Sequence, residues 1–292
     1  MNQELFDSLP EELQDIYTKY CLPDKLDGLT LNSVILSDEN RRKVNDFRTE
    51  TEFKQRFVKY GLEPVNRILN YGASGTGKTF LTKCMAAEFK YELLAIDIAN
   101  ALSTGTAATA LENIFKLGNH IGKAIIFLDE CDAIARDRTS NKLNEDANVR
   151  RANNALFQLL DRMNPDCIFV SCTNLYTELD PAFVRRFNLK LRFDRPALED
   201  LESAINKFLL KDFTIENDMD EQVKEVILYH ARNYTGLSYD EIETWVERAE
   251  KLAIMRDSTV IKETDIYNFF MDSLRVKVSY NEKTGKPYLY QV

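Results

Sequence analysis

No run of apolar residues in the chain approaches the roughly 18 that a membrane-spanning helix needs. The start, Met1-Asn2-Gln3-Glu4, lacks the basic-then-apolar order of a secretory signal. No repeat at a solenoid period is visible, and no low-complexity stretch, which sets aside stacked-repeat architectures. The five cysteines (Cys21, Cys84, Cys131, Cys167, Cys172) are odd in number, scattered, and without a Cys-x-x-Cys pair. That usage points to reduced thiols and a cytoplasmic protein. Positive charge is also short, with 38 Lys and Arg against 47 Asp and Glu for a net charge of −9. There is no basic patch interleaved with aromatics. Nucleic acid and anionic membranes are therefore disfavoured partners, because counterion release needs clustered Lys and Arg.

Apolar residues make up 44% of the 292, and aromatics 11%, enough for a packed interior. Against about 150 residues per domain, the length predicts one large core and a satellite. Residues 1–28 read as an N-terminal helix, spaced from Glu4 to Tyr20, and a linker containing Pro23 and Gly28. A second helical stretch runs from about Ser37 to Tyr60. Short apolar runs then alternate with helices, at 67–71, 92–96, 124–128, 167–171 and 189–193. Two of these runs lack any polar alternation, which indicates a parallel sheet covered on both faces. The expected fold is therefore α/β over 29–195, followed by an all-helical lid domain over 196–275. Residues 276–292, with Asn281-Glu282-Lys283-Thr284-Gly285 between alternating segments, form a tail suited to a hairpin.

The segment Gly72-Ala73-Ser74-Gly75-Thr76-Gly77-Lys78-Thr79 matches G-x-x-x-x-G-K-[ST] in full. It follows an expected strand and opens an expected helix, where a phosphate loop must sit. Glycines let successive amides face the phosphates, and the helix N-terminus adds partial positive charge. Lys78 then reaches the β- and γ-phosphates of ATP, and the Thr79 hydroxyl ligates Mg²⁺. The run 124–128 ends in Asp129-Glu130, placing two carboxylates at the strand edge where ligands bind in open α/β sheets. Asp129 is expected to hold Mg²⁺ through water and Glu130 to orient and polarise the attacking water. Asn174, just after the run 167–171, has an amide suited to the γ-phosphate or that water, although a lone Asn at a strand end is usually a turn former. Arg185 and Arg186 are either a solvated basic pair or fingers reaching a neighbour's γ-phosphate.

Taken together these segments resemble the AAA clade of the AAA+ ATPases, from about residue 29 to about residue 275. The resemblance rests on the phosphate loop, on Phe127-Leu128-Asp129-Glu130-Cys131-Asp132-Ala133-Ile134, on Thr173-Asn174, and on Leu179-Asp180-Pro181-Ala182 with Arg185-Arg186-Phe187. It implies that Asn174 is the sensor-1 residue and that Arg185 and Arg186 are paired arginine fingers. The double Arg before Phe is similar to the microtubule-severing and membrane-remodelling members. Arg150 to Leu156 resembles the subunit-interface helix, and Thr235-Gly236-Leu237-Ser238 the nucleotide-facing turn of the lid. A homo-oligomeric ring, usually a hexamer, with ATP sites between subunits is implied, and Mg-dependent ATP hydrolysis with it.

Three positions depart from the family pattern. Ala73-Ser74 replace its usual Pro in the phosphate loop. Tyr239-Asp240-Glu241 stand where Gly-Ala-Asp normally continues the lid turn, close to the base. Ser103 occupies the place of the aromatic that grips polypeptide in the first pore loop, and Arg136 and Arg138 fall in the second. Two functions follow as expectations. One is a motor that remodels or disassembles a protein partner; the other is an ATP-dependent switch or scaffold acting on a separate effector subunit. A segment of 28 residues is too short for a large substrate-binding domain, so partner recognition is expected in that helix, the loops, the tail or another subunit.

Overall fold

The computed structural model describes residues 2–22, 26–136, 147–231, 234 and 236–292. Its contacts divide the chain into two units: Met1–Ala73 with Gly77–Phe193, and Ser74–Thr76 with Asp194–Val292. Among the described residues no helix is long and apolar enough to cross a membrane.

The first unit opens with α1 (Gln3–Ser8) and α2 (Glu11–Tyr20), followed by α3 (Asp38–Glu52) and α4 (Lys54–Lys59). The single N-terminal helix expected over 4–20 is thus two. Leu9 and Pro10 are both extended, with ψ of 145°, because a proline ring disfavours helical backbone in the residue before it. Then come β1 (Arg67–Gly72), α5 (Lys78–Phe89), β2 (Glu92–Ile96), α6 (Ile98–Ser103), α7 (Ala107–Ile121), β3 (Ala124–Leu128), α8 (Ala147–Asp161), β4 (Ile168–Thr173), the short α9 (Pro181–Val184) and β5 (Leu189–Phe193). The five strands form one parallel sheet in the order β2-β3-β4-β1-β5.

Strand side chains alternate between faces, and here both faces are apolar. Ile126, Leu128 and Phe169 pack with Leu111, Phe115 and Leu156 on one side. Ile125, Phe127 and Val170 pack with Phe47, Leu81 and Met85 on the other. That is why the runs at β3 and β4 show no polar alternation. The edge strand β2 is covered by the N-terminal segment: Cys21 bridges Leu94 in antiparallel sense, and the Leu22 amide donates to the Leu93 carbonyl at 3.0 Å.

In the second unit lie α10 (Leu201–Phe208), β6 (Thr214–Glu216), α11 (Glu221–Ala231), α12 (Tyr239–Met255), β7 (Val260–Lys262) and α13 (Glu263–Leu274). The helices are as expected. The sequence showed no strand before Val276, yet β6 and β7 pair in parallel over three residues each, too few for periodicity to register. The chain closes with β8 (Val276–Tyr280) and β9 (Pro287–Gln291), an antiparallel hairpin.

Candidate active site

The strand order sets β3, β4 and β1 side by side, so their C-terminal ends converge at one edge of the sheet. From β1 the chain enters the segment Gly72 to Gly77 and turns into α5. Gly72 has φ 142°, and a Cβ there would lie 1.9 Å from the Phe193 carbonyl oxygen. Only glycine fits between β1 and the edge strand β5 at that point. Gly77 is the N-cap of α5 with a left-handed φ of 94°. Gly75 is left-handed too, Thr76 is buried, and Ser74–Thr76 group with the second unit.

Lys78, the first residue of α5, is only 7% exposed. Its ammonium donates to the carbonyls of Gly72 at 3.1 Å and Ala73 at 2.5 Å. A buried cation held by carbonyls of the loop it opens is aimed at whatever anion that loop binds. One residue on, the Thr79 hydroxyl donates to Asp129 Oδ2 at 2.8 Å. Asp129 Oδ1 accepts the Glu130 amide at 2.9 Å. Both carboxylate oxygens are therefore fixed. A hydroxyl and a carboxylate at hydrogen-bond distance are the hard oxygen donors that Mg²⁺ prefers, so this pair fits that ion. Glu130 has φ 49°, a left-handed conformation costly for a residue with a Cβ. The backbone thus turns sharply at the residue whose carboxylate is the expected base.

Next to this pair stand two buried thiols. Burial pushes Cys131 up to about 12 and holds Cys172 well above the ordinary thiol range, with Asp129 adding to both. Neither is a nucleophile; they are packing groups.

At the end of β4, the Thr173 hydroxyl donates to Asp132 Oδ1 at 2.7 Å and accepts from the Leu175 amide at 2.9 Å. Asn174 lies between them, exposed at the bend. On the far side of this loop Tyr176 stacks on Tyr71, with centroids 4.0 Å apart and planes at 24°. Tyr71 immediately precedes Gly72. The loop bearing Asn174 is thereby pinned at one end to the residues after β3 and at the other to the strand that carries the phosphate loop. Thr173 and Asp132 stand in the motif segments, but their bond to each other and the tyrosine pair are not legible in the sequence, because each joins positions 41 or more apart.

The two arginines differ. Arg185 is exposed and donates through Nε to the Pro181 carbonyl at 3.1 Å. Arg186 binds Asp161 of α8 through Nε at 3.2 Å and Nη2 at 3.3 Å, donates from Nη1 to the Ala182 carbonyl at 3.0 Å, and lies over the Phe157 ring. Of the expected loop residues, Ser103 ends α6, exposed, its hydroxyl donating to the Asn100 carbonyl at 2.8 Å. Arg136, exposed, pairs with Glu178 at 3.4 Å. Arg138 and Thr235 lie outside the described residues. In the second unit, Arg195 Nη1 donates to the Gly236 and Leu237 carbonyls at 2.9 and 3.2 Å, and Ser238 caps α12 with Glu241 three residues on. Tyr239 and Asp240 occupy the first turn of that helix.

Residues 68–195 match the model of the ATPase family associated with various cellular activities (AAA). An uncharacterized AAA family ATPase, y4kL, of Sinorhizobium fredii is 30% identical over 253 residues, covering 84% of this chain and 71% of that protein. Proteasome-activating nucleotidase 2 of Haloferax volcanii is 27% identical over 258 residues, 85% of this chain and 59% of the relative. The 26S protease regulatory subunit 6A of Caenorhabditis elegans is 30% identical over 227 residues, 76% of this chain and 50% of the relative. The chain thus spans about half to three-fifths of the length of the last two.

Proposed function

The chain belongs to the AAA family of ATPases, and from that premise we propose that it hydrolyses ATP with Mg²⁺ in a homo-oligomeric ring, a hexamer, that remodels or disassembles a protein partner. The observation that carries this reading is the junction of Thr79 and Asp129 at 2.8 Å beside the turned Glu130. Lys78 and the amides of the loop bind the β- and γ-phosphates. Thr79 and Asp129 would hold Mg²⁺, the threonine directly and the carboxylate through water, and the ion would supply charge neutralisation at the phosphate oxygens. Glu130 orients a water and accepts its proton as it attacks the γ-phosphorus, and Asn174 contacts the γ-phosphate or that water. The Arg185–Arg186 pair serves a neighbouring subunit's site, where an arginine finger is worth about 10³–10⁵ in rate. The Arg-Arg-Phe sequence supports a kinship with the severing and remodelling members.

The test is Glu130→Gln. The variant is expected to bind ATP as the wild type does, to lose turnover, and to accumulate as the ATP-bound oligomer. Hydrolysis at the wild-type rate by that variant would sink the assignment of Glu130. A pull-down with the same variant and ATP is the direct route to the partner.

A second reading is favoured by Ser103. In that reading ATP binding sets the oligomer, and the ring acts on a separate effector subunit without threading polypeptide. The end of α6 presents a small hydroxyl, already bonded to Asn100, in place of an aromatic wedge. Two relatives are named for activating or regulating a protease, which is one class such an effector could belong to. The four buried thiols and half-buried Cys21, all unbridged, support a reducing compartment such as the cytoplasm.

A further inference from the structure

The contacts of the arginine pair divide its labour more sharply than its sequence does. Arg185 caps the end of α9 and Arg186 follows it in the turn, and their guanidinium groups have different partners. Of the five N–H donors of a guanidinium, Arg186 has Nε, Nη1 and Nη2 all engaged within its own chain. Its planar face is covered as well, with the guanidinium carbon 4.4 Å from the Phe157 centroid. Phe157 in turn stacks on Phe183 of α9, 6.1 Å away at 15°. An exposed ion pair alone is worth little, and Asp161 is 55% exposed. Bidentate geometry, a third hydrogen bond and the stacked ring together make this one a fixed fitting. Arg185 uses Nε alone, and among the described residues its two terminal nitrogens, the ones suited to bidentate phosphate contact, have no partner.

We propose that Asp161 and Phe157 of α8 are positioning residues for the arginine pair, fixing Arg186 as an anchor so that Arg185 alone is the finger delivered to the neighbouring site. This rests on the reading of the pair as acting in trans. The spacing of Phe157 and Asp161, four residues apart on α8, places both on one helix face, where they meet one guanidinium from its face and its edge. Because α8 also supplies Leu156 and Leu160 to the core, the anchor ties the finger to a rigid element instead of a surface loop.

The experiment is steady-state ATPase on the full chain, with kcat and KM determined separately and a thermal midpoint for every protein. Arg185→Ala is expected to lower kcat by about 10³-fold or more with KM for ATP little changed. Arg186→Ala and Asp161→Asn should each lower kcat by about 10- to 30-fold, with midpoints close to wild type. The Asp161→Asn/Arg186→Ala double variant should fall no further than Arg186→Ala, since both remove one unit. In rings mixed with Lys78→Ala subunits, the Asp161→Asn defect should follow the finger-donating subunit, which a merely structural lesion would not do. Phe157→Leu gives a second route to the same kcat phenotype should Asp161→Asn fold poorly. A silent Asp161→Asn, or an Arg186→Ala loss as deep as that of Arg185→Ala, would overturn the anchor while leaving the trans finger standing. Arg185→Ala turning over at the wild-type rate would instead overturn the finger reading itself.

Discussion

The Thr79 hydroxyl and the Asp129 carboxylate meet at 2.8 Å, joining the first turn of α5 to the end of β3 across 50 residues of sequence. The contact couples the group that would ligate the metal directly to the one that would hold it through water. Thr79→Ala and Asp129→Ala are each expected to lower turnover by at least about tenfold and to raise the Mg²⁺ concentration needed for half-maximal rate. The double variant should be much less impaired than the product of the singles, because both act on one ion. A Mg²⁺ titration of ATPase rate checks this, and additive losses would separate the two residues.

The first pore loop offers a test of threading. A permanently unfolded polypeptide is expected to leave wild-type ATPase turnover unchanged, since Ser103 offers no wedge to grip it. Ser103→Tyr costs α6 only the bond to the Asn100 carbonyl and should confer stimulation by the same polypeptide. Stimulation of the wild type would instead favour threading and weaken the scaffold reading.

Much of this was legible in the sequence because local rules suffice for it. The run 124–128 coincides with β3, since a strand buried on both faces is written as a short apolar block, and 92–96 and 189–193 coincide with the edge strands β2 and β5, where Leu191 and Phe193 of β5 are buried around an exposed Arg192. The phosphate loop carries its own conformational demands, which glycine meets at positions 72, 75 and 77. The order in which strands pair, by contrast, depends on crossovers that no local pattern encodes. The same holds for Tyr71 on Tyr176 and for Arg186 on Asp161, where each residue alone is an ordinary strand, loop or surface group. At Ser8 to Glu12 the sequence carries a helix start within one stretch of helical spacing, and that start is where α2 begins.

The thiols give a pH prediction. Burial raises Cys131 and Cys167 to about 12, whereas an exposed thiol ionises near 8.5. The folded state therefore keeps these protons longer than the unfolded chain does. Their contribution to stability is whole below about pH 8.5 and is lost as pH rises toward 12. At pH 10 that loss is about 2 kcal/mol for each thiol. Urea midpoints at pH 7.5 and 10 should show the fall, and a thiol reagent should modify at most Cys21 until denaturant exposes the rest. Rapid native labelling of Cys131 or Cys167 would contradict the burial argument.

The N-terminal segment was expected as one of several places for partner recognition, and one of its faces is committed to the core. Leu9, Leu13, Tyr17 and Tyr20 are each 5% exposed or less, in the same core as α7 and β2. The Tyr17 hydroxyl, pushed above its ordinary range by burial, donates to Glu92 Oε2 at 3.0 Å and accepts from the Asn2 amide at 3.2 Å. At roughly 1.5–3 kcal/mol for each large side chain removed from water, these four supply about 6–12 kcal/mol, comparable to the whole stability of a typical domain. Deleting residues 1–22 is therefore expected to abolish folding of the first unit and to bare the edge of β2, producing aggregates rather than a ring that has merely lost its substrate. Graded variants keep the argument quantitative. Tyr17→Phe should cost about 1 kcal/mol through the lost hydroxyl, and Tyr17→Ala about 3–5 kcal/mol through the cavity. Urea unfolding measures both. If Tyr17→Ala left the midpoint unchanged while abolishing partner capture, the segment would be a recognition arm after all.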